Sequence, residues 1–252
     1  IHYNITPEIE QQFIIPLAAD FKASGYNTKS MLKSFFTSAE FFSSCNRGAM
    51  IKSPAHFIIT VLRQFGMKLP TSATLEAQYY FRSVMKNYAP QMGQDFMDAP
   101  DVAGWPAYYQ VPQFHEIWVN TASYPNRKVF YENMLKNGIS TGTAYFEDAS
   151  KNLKFTIDFV AFAKTFSNPS DPNILIDESC NLLFGVAVSQ SVKDQLKKNY
   201  LLQGQSTDYY WTNAFNAYVA NPSTTDPDAK KVPNILRDLY LDMCSAAEYH
   251  LI

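Results

Sequence analysis

The stretch SPAHFIITVLRQFG, residues 53–66, contains the pattern that decides the fold. Its apolar residues recur at the spacing of one helix face, and they are Phe57, Ile58, Val61, Leu62 and Phe65. Ser53 stands where a helix N-cap is expected and Pro54 at the first helical position. Gly66 follows directly, where a left-handed residue commonly ends a helix. The stretch therefore predicts an amphipathic helix with both ends marked.

The same pattern recurs along the chain. An early helix is predicted where Ile9, Phe13, Leu17 and Phe21 recur every four residues, and Pro16 must kink or split it. Another is predicted around 129–135, closed by Gly138. Later helices are predicted at Asp158–Phe166, Pro172–Phe184, Ser189–Leu202, Asp208–Val219 and Pro233–His250. The predicted fold is mainly α, an irregular helical array.

Glycines support this fold class. The chain has only nine, too few for a many-turned β protein or a Gly-rich nucleotide-binding fold. Five of them follow helix-like segments, where a left-handed C-cap residue is wanted, and they are Gly25, Gly66, Gly138, Gly185 and Gly204. These positions mark helix ends rather than β-turns.

One region has a different period. Apolar residues alternate with polar ones from Leu153 to Phe159, which is the period of a strand. With Tyr145 and Phe146 upstream, a short β-hairpin is predicted at about 143–157. The turn-rich segments at 168–173 and 221–234 indicate local boundaries rather than domain linkers. The chain is predicted to be a single helical domain over 1–252, with a subdivision into a motif-bearing part, 1–140, and a helical part, 141–252.

Composition excludes several classes of function. The net charge is −2 and the lysines and arginines are scattered, so no basic face for nucleic acid or anionic membranes is expected. No apolar run is long enough to span a bilayer. The chain begins at Ile1 without a signal-like segment, which predicts a piece of a longer protein. Its cysteines, Cys45, Cys180 and Cys244, show no C-x-x-C spacing, and three buried free thiols are favoured over one disulfide plus a free thiol.

The segment 95–127 follows neither a helical nor a strand period. A segment this long without a regular pattern is functional or disordered, and its aromatic content favours an ordered functional loop. Its candidate binding or catalytic residues are Asp101, Trp105, Tyr108, Tyr109, His115, Glu116, Trp118, Asn120 and Arg127. Its aromatic rings either stack on a ligand such as a sugar or anchor the loop in the core. Trp105 with Pro106 is favoured as the anchor, and Tyr108 to Arg127 as the part that contacts a ligand.

Two cations, Arg47 and Lys52, precede the helix at 53–66. The free N–H groups and dipole of a helix N-terminus attract anions, so a carboxylate or phosphate could bind there. The alternative is that both cations form ion pairs with carboxylates of the same chain and fix the entry into the helix. The sequence favours this second role.

His115 and Glu116 have the residue types of an acid/base pair. Adjacent residues of an extended segment point to opposite sides, however, so the two side chains need not meet. No second histidine completes a helical zinc motif, and the acidic runs at 95–101 and 168–177 do not match a calcium loop, so no metal site is predicted. Asp171, before Pro172, is predicted to be a helix N-cap. No nucleophile elbow and no cofactor motif is present.

Four runs, in this order, resemble the domain-of-unknown-function 1800 family. They are LKSFFTSAEFF (Leu32–Phe42), RGAMIKSPAHF (Arg47–Phe57), DAPDVAGWP (Asp98–Pro106) and WVN (Trp118–Asn120). The resemblance is strong over about residues 1–135 and has the form seen in Bacteroidetes-type members. Two positions depart from the family pattern, because His56 stands where the family usually has an acid and Ala99 where it has a proline.

The resemblance implies a location rather than a mechanism. It implies an exported protein of the cell envelope, periplasmic, outer-membrane-associated or secreted, of which this chain is the C-terminal part. It also implies a partner, an exported sulfatase-like protein encoded nearby.

Two hypotheses of function follow. The favoured one is a non-enzymatic helical binding or scaffold module that uses the loop 95–127 to contact a protein partner or a glycan. The alternative is a carbohydrate-directed hydrolase with paired carboxylates such as Glu116 and Asp101, which requires the two carboxyl groups to lie roughly 5–9.5 Å apart.

Overall fold

The computed structural model describes residues 5–67, 75–102, 104, 115–141 and 153–252. The protein is mainly α, as predicted. Its α-helices are α1 Pro7–Ile9, α2 Ile15–Ala23, α3 Thr28–Phe36, α4 Pro54–Gln64, α5 Leu75–Gln91, α6 Ser123–Glu132, α7 Phe159–Ala163, α8 Pro172–Leu183, α9 Gln190–Leu196, α10 Tyr209–Ala220 and α11 Val232–Ser245. Short 3₁₀-helices lie at Ser44–Asn46, Glu116–Trp118, Ala229–Lys231 and Ala247–His250.

Helix α4 confirms the pattern at 53–66. The side chain of Ser53 accepts a hydrogen bond from the backbone N–H of His56, and Pro54 is the first helical residue. Four of the five predicted glycines have the positive φ of a left-handed residue, namely Gly25, Gly66, Gly138 and Gly204. The prediction for Gly185 is wrong. Its φ is not positive, and it is needed instead for space, since an added Cβ would lie 3.2 Å from the Leu251 carbonyl oxygen.

The first helix is interrupted where Pro16 predicts. A π-turn, Glu10–Ile14, lies between α1 and α2 and ends just before the proline. Proline has no N–H to donate and its ring crowds the carbonyl four residues earlier, so widening the helix by one residue per turn relieves the conflict. Two further π-turns extend α6 and α9, at Asn133–Asn137 and Lys197–Leu201.

Helix α11 lies at the centre of the core. It contacts α6, α7, α8 and α10, and the aromatic rings of Phe65, Phe159 and Phe162 surround Tyr240 at centroid distances of 5.0–5.9 Å. Its apolar face was predicted from the spacing of Ile235, Leu236, Leu239, Tyr240 and Met243, all of which are buried. The helix ends at Ser245 rather than at His250, where a 3₁₀-turn takes over.

The strand pair differs from the predicted hairpin. Strand β2, Lys154–Phe155, pairs antiparallel with β1, Ile139–Ser140, in the register Ile139 to Phe155. The first strand therefore begins before the predicted boundary at 143, and Tyr145 and Phe146 lie outside the described residues. Gly138 sits so close to β2 that an added Cβ would lie 2.1 Å from the Phe155 carbonyl oxygen.

The end of the segment 95–127 is more regular than predicted. Residues Glu116–Trp118 form a 3₁₀-turn, and α6 begins at Ser123, so the last five residues belong to a helix. Proline at position 125 falls in the first turn of that helix, where its missing N–H has no intrahelical partner to lose.

The described N-terminal residues, 5–46, contain no buried residue. The phenylalanines of this part, such as Phe13 and Phe35, pack on each other at ring distances of 5.2–5.8 Å. The prediction of three buried thiols is wrong for Cys45, which is exposed, while Cys180 and Cys244 are buried and all three are free. None of the described helices is both long and apolar enough to cross a membrane.

Candidate functional site

The cationic motif pairs with the end of the chain. The N–H of Lys52 donates to the His250 carbonyl at 2.8 Å, and the N–H of Ile252 donates to the Met50 carbonyl at 2.8 Å. This short antiparallel contact joins residues about 200 positions apart in the sequence. It places Lys52, at the entry to α4, beside the turn that follows α11.

Gly48 makes the close approach possible. Its φ is +69°, and an added Cβ would lie 2.1 Å from Cγ1 of Val186. A glycine is therefore required twice over, by the left-handed backbone and by the lack of space.

The helix N-terminus itself is already occupied. The N–H of Ala55 donates to Oε1 of Gln94 at 2.9 Å, and the N–H of His56 donates to Oγ of Ser53 at 3.3 Å. These are the donors that the sequence offered to an anion. In the structure they hold the start of the segment 95–127 and the cap of α4.

Lys52 is buried, with 4% of its surface exposed. Its ammonium group donates to the Tyr249 carbonyl and lies 4.4 Å from the centroid of the Tyr249 ring. Burial lowers the pKa of Lys52 to about 8, the neighbouring Cys244 opposes this, and the charge of Arg127 lowers it further. Lysine is thus held in a place where its charge is costly.

Arg127 is completely buried. Its Nη2 donates to the carbonyls of Lys52 at 2.6 Å and Trp118 at 3.2 Å, and the guanidinium lies 5.0 Å from the Phe57 ring. Its Nε and Nη1 atoms find no hydrogen-bonding partner among the described residues. Burial lowers the pKa of Arg127 to about 10, so it remains charged at neutral pH.

Aromatic residues surround the two cations. The His250 ring stacks on Phe57 at 5.0 Å and 16°. Burial lowers the pKa of His250 to about 4, and the charges of Arg127 and Lys52 lower it as well, against a weak opposing effect of the Cys244 backbone. His250 is therefore neutral at pH 7. Burial also raises the pKa of both Tyr249 and Cys244, so these groups stay protonated.

We call Lys52, Arg127, Phe57, Tyr249 and His250 the cationic cluster. In the part of the chain that the structure describes, neither Lys52 nor Arg127 forms an ion pair. By sequence, the remaining stretches contain only two acids, Glu147 and Asp148. Two buried cations are thus balanced by carbonyl oxygens and aromatic faces rather than by a described carboxylate.

The other candidates of the segment are held by, or lie around, this cluster. His115 accepts a hydrogen bond at Nδ1 from the N–H of Ile51 at 3.2 Å. Trp118 is half-buried, and its carbonyl receives Arg127 and the buried hydroxyl of Ser123. Oδ1 of Asn120 accepts from the N–H groups of Ala122 and Ser123 at 2.9 and 2.8 Å, which caps α6.

Three candidates are exposed. Arg47 lies outside the cationic cluster with its side chain in solvent, and Asp101 and Glu116 are exposed as well. The structure therefore brings Lys52, Arg127, Trp118 and His115 together and leaves these three apart. Trp105, Tyr108 and Tyr109 lie outside the described residues, so the binding roles predicted for them stay predictions.

Sequence reasoning missed the contribution of the C-terminus. Tyr249 and His250 follow α11, and nothing in their local pattern connects them with Lys52. The only local signal is a histidine beside a tyrosine at the end of a strongly apolar helix. Acid and metal chemistry do not add to the cluster, since the described residues contain no group of three His, Cys, Asp or Glu side chains that could hold a metal.

The sequence was compared with known proteins. The sequence model of the family described as "Protein of unknown function (DUF1800)" matches residues 1–225 of 252. No curated protein and no solved structure matches the chain. The matched region contains every candidate site residue of the sequence, whereas Tyr249 and His250 lie beyond it.

Proposed function

The chain belongs to the DUF1800 family, and we propose that this member is a non-enzymatic, exported binding module that holds a protein partner or a glycan on the segment 95–127. One observation carries the proposal. The backbone of this segment is fixed to α4 and α5 near both of its ends, while large apolar side chains of the same segment stand fully in solvent.

The anchoring contacts come from both ends. At the start, Gln94 accepts from the N–H of Ala55 in α4. At the end, His115 accepts from Ile51, and Asn126 donates to the Gln91 carbonyl at 2.6 Å. A segment anchored in this way loses little further conformational entropy when it binds, which favours affinity.

The exposed side chains are Met97, Val102 and Tyr124. Met97 and Val102 are as exposed as in an extended peptide, at 105% and 107%, and Tyr124 is 42% exposed. Met97 also has a φ of +66°, in the left-handed region that non-glycine residues rarely adopt. A strained backbone that presents an apolar side chain to water does not help folding, and such outliers cluster at functional positions.

The chemistry of the described residues supports binding over catalysis. The imidazole of His115 faces the backbone of Ile51, while Glu116 points into solvent. Both carboxylates of the hydrolase alternative, Asp101 and Glu116, are exposed, and that alternative stays a prediction.

The test compares capture by matched variants. The immobilised chain is exposed to an envelope extract of the source organism and, in parallel, to a glycan array. The double variant Met97→Ser/Val102→Ser is expected to lose most of the bound material. Tyr209→Ser, which removes a side chain 75% exposed on α10, is the control. Equal capture by both variants would contradict the proposal.

Export rests on the family resemblance and has a separate test. Fractionation of cells that carry the full-length gene is expected to find the protein in the periplasm, the outer membrane or the medium. Recovery in the cytoplasm alone would overturn this part. An exported sulfatase-like protein is the first partner to look for in the captured material.

A further inference from the structure

A cleft of about 520 Å³ opens on the side of α4 away from the segment 95–127. The exposed face of α4 forms one wall, residues 182–185 form the other, and the last two residues of the chain close one end. Its volume is that of a small-molecule site. It lies outside the surface proposed above and does not depend on that proposal.

The charged lining of this cleft has one sign. Lys52, His56 and Arg63 contribute to it, and none of the described lining residues is acidic. None of the three side chains forms an ion pair within the described ranges. Surface cations of globular proteins are usually interspersed with acids, so a concave surface with cations alone attracts anions.

Lys52 has donors left for a ligand. An ammonium group carries three, and the described residues take one of them, through the Tyr249 carbonyl. The charge of Lys52 also lowers the pKa of His56, after burial. These two positive sites therefore disfavour each other, and an anion between them would relieve the repulsion.

The rest of the lining is largely apolar. Ile59 and Leu182 are each about half exposed and flank the cations, and Leu251 lies at the closed end. A small inorganic anion would leave these side chains in water. A ligand with one charged group and an apolar body would cover both kinds of surface.

We propose that this cleft binds a small organic carboxylate with an apolar body. The carboxylate contacts the ammonium group of Lys52 and the guanidinium of Arg63, whose planar fork suits two oxygens. The body of the ligand covers Ile59 and Leu182. The backbone amides of the α4 N-terminus take no part, because Ser53 and Gln94 already occupy them.

The experiment is calorimetric titration of the purified chain with 4-phenylbutanoate. Two comparators separate the contributions: 4-phenylbutanol has the apolar body without the charge, and sulfate has the charge without the body. Saturable binding of 4-phenylbutanoate, with much weaker binding of both comparators, is expected. No saturable binding, or an alcohol that binds as tightly, would overturn the proposal. Equal affinity for sulfate would overturn the organic part of it.

Matched variants locate the site. Arg63→Gln should weaken binding by about tenfold, on the scale of a hydrogen bond to a charged group. Arg82→Gln, an exposed arginine on α5 that does not line the cleft, should leave the affinity unchanged. Both changes are on exposed surfaces and leave the fold intact, which circular dichroism confirms. Equal affinities of the two variants would place the site elsewhere.

Discussion

Gly48 and His250 show how single residues hold the candidate site together. Gly48 lets the motif approach Val186, and His250 fills the space against Phe57. Neither residue has a partner nearby in the sequence. Their roles follow from contacts that form only in the folded chain, so each can be tested by a change that leaves the local pattern intact.

Gly48→Ala should destabilise the protein by about 2–4 kcal/mol, from the left-handed backbone and the overlap with Val186. Gly66→Ala is the control, because its φ is +63° but an added Cβ meets nothing within 4 Å. It should cost only about 1–2 kcal/mol. Urea unfolding measures both. The double variant Gly48→Ala/Val186→Ala should recover the steric part of the loss, and equal costs for the two single changes would contradict the packing argument.

His250 should make the protein sensitive to acid. Its folded pKa of about 4 lies below the usual 6.5, so between these values the unfolded chain binds the proton more readily. Its contribution to stability is therefore complete above pH 6.5 and is lost as the pH falls towards 4, by roughly 3 kcal/mol. His250→Phe, which keeps the stacking on Phe57, should lose less stability than the wild type from pH 7 to 4. An identical loss in both proteins would show that His250 is not buried as described.

At the scale of the element, the helices that were predicted are those whose ends and faces are marked locally. Helix α8 begins at the predicted N-cap, with Asp171 accepting from Asn173 and Ile174. Helices α3 and α5 were not predicted. Helix α5 has a readable signal, because its buried residues Ala77, Phe81, Met85 and Ala89 recur every four positions. The strand partner of Phe155 could not be read from the alternating pattern, which identifies one strand but not its register.

Asn120→Ala should destabilise α6 and the protein by about 1 kcal/mol, because the two N–H groups that Asn120 caps would lose their acceptor. Lys128→Ala, an exposed change in the same helix, is the control and should stay within about 0.5 kcal/mol. Both are measured by urea unfolding. If the two changes cost the same, Asn120 is not the cap, and its side chain is then available for the ligand role.

At the scale of the whole molecule, the described chain has two parts that differ in burial. Every core residue comes from Phe57 onward, and residues 5–46 contribute none. The cationic cluster belongs to the first part of that core and to its last residues. Sequence reasoning found Lys52 and Arg127 as candidates but not their meeting, because the contacts that join them to Tyr249 and His250 span up to 197 positions.

A chain that begins at Asn46 should keep the fold of the remainder. Because none of residues 5–45 is buried, urea unfolding should stay cooperative, and the midpoint should change little. The dependence on denaturant should fall with the smaller surface that is exposed. Loss of cooperative unfolding would show that the N-terminal helices are part of the same stable unit.

The central claim is that the motif 47–54, residues 115–127 and residues 247–252 form one rigid framework that holds the segment 95–127 for binding. Amide hydrogen exchange tests it most directly. The N–H groups of Lys52 and Ile252, which donate to His250 and Met50, should exchange only through global unfolding, while those of residues 5–46 exchange far sooner through local opening. If Lys52 and Ile252 exchange as fast as the N-terminal helices, the framework does not exist as described.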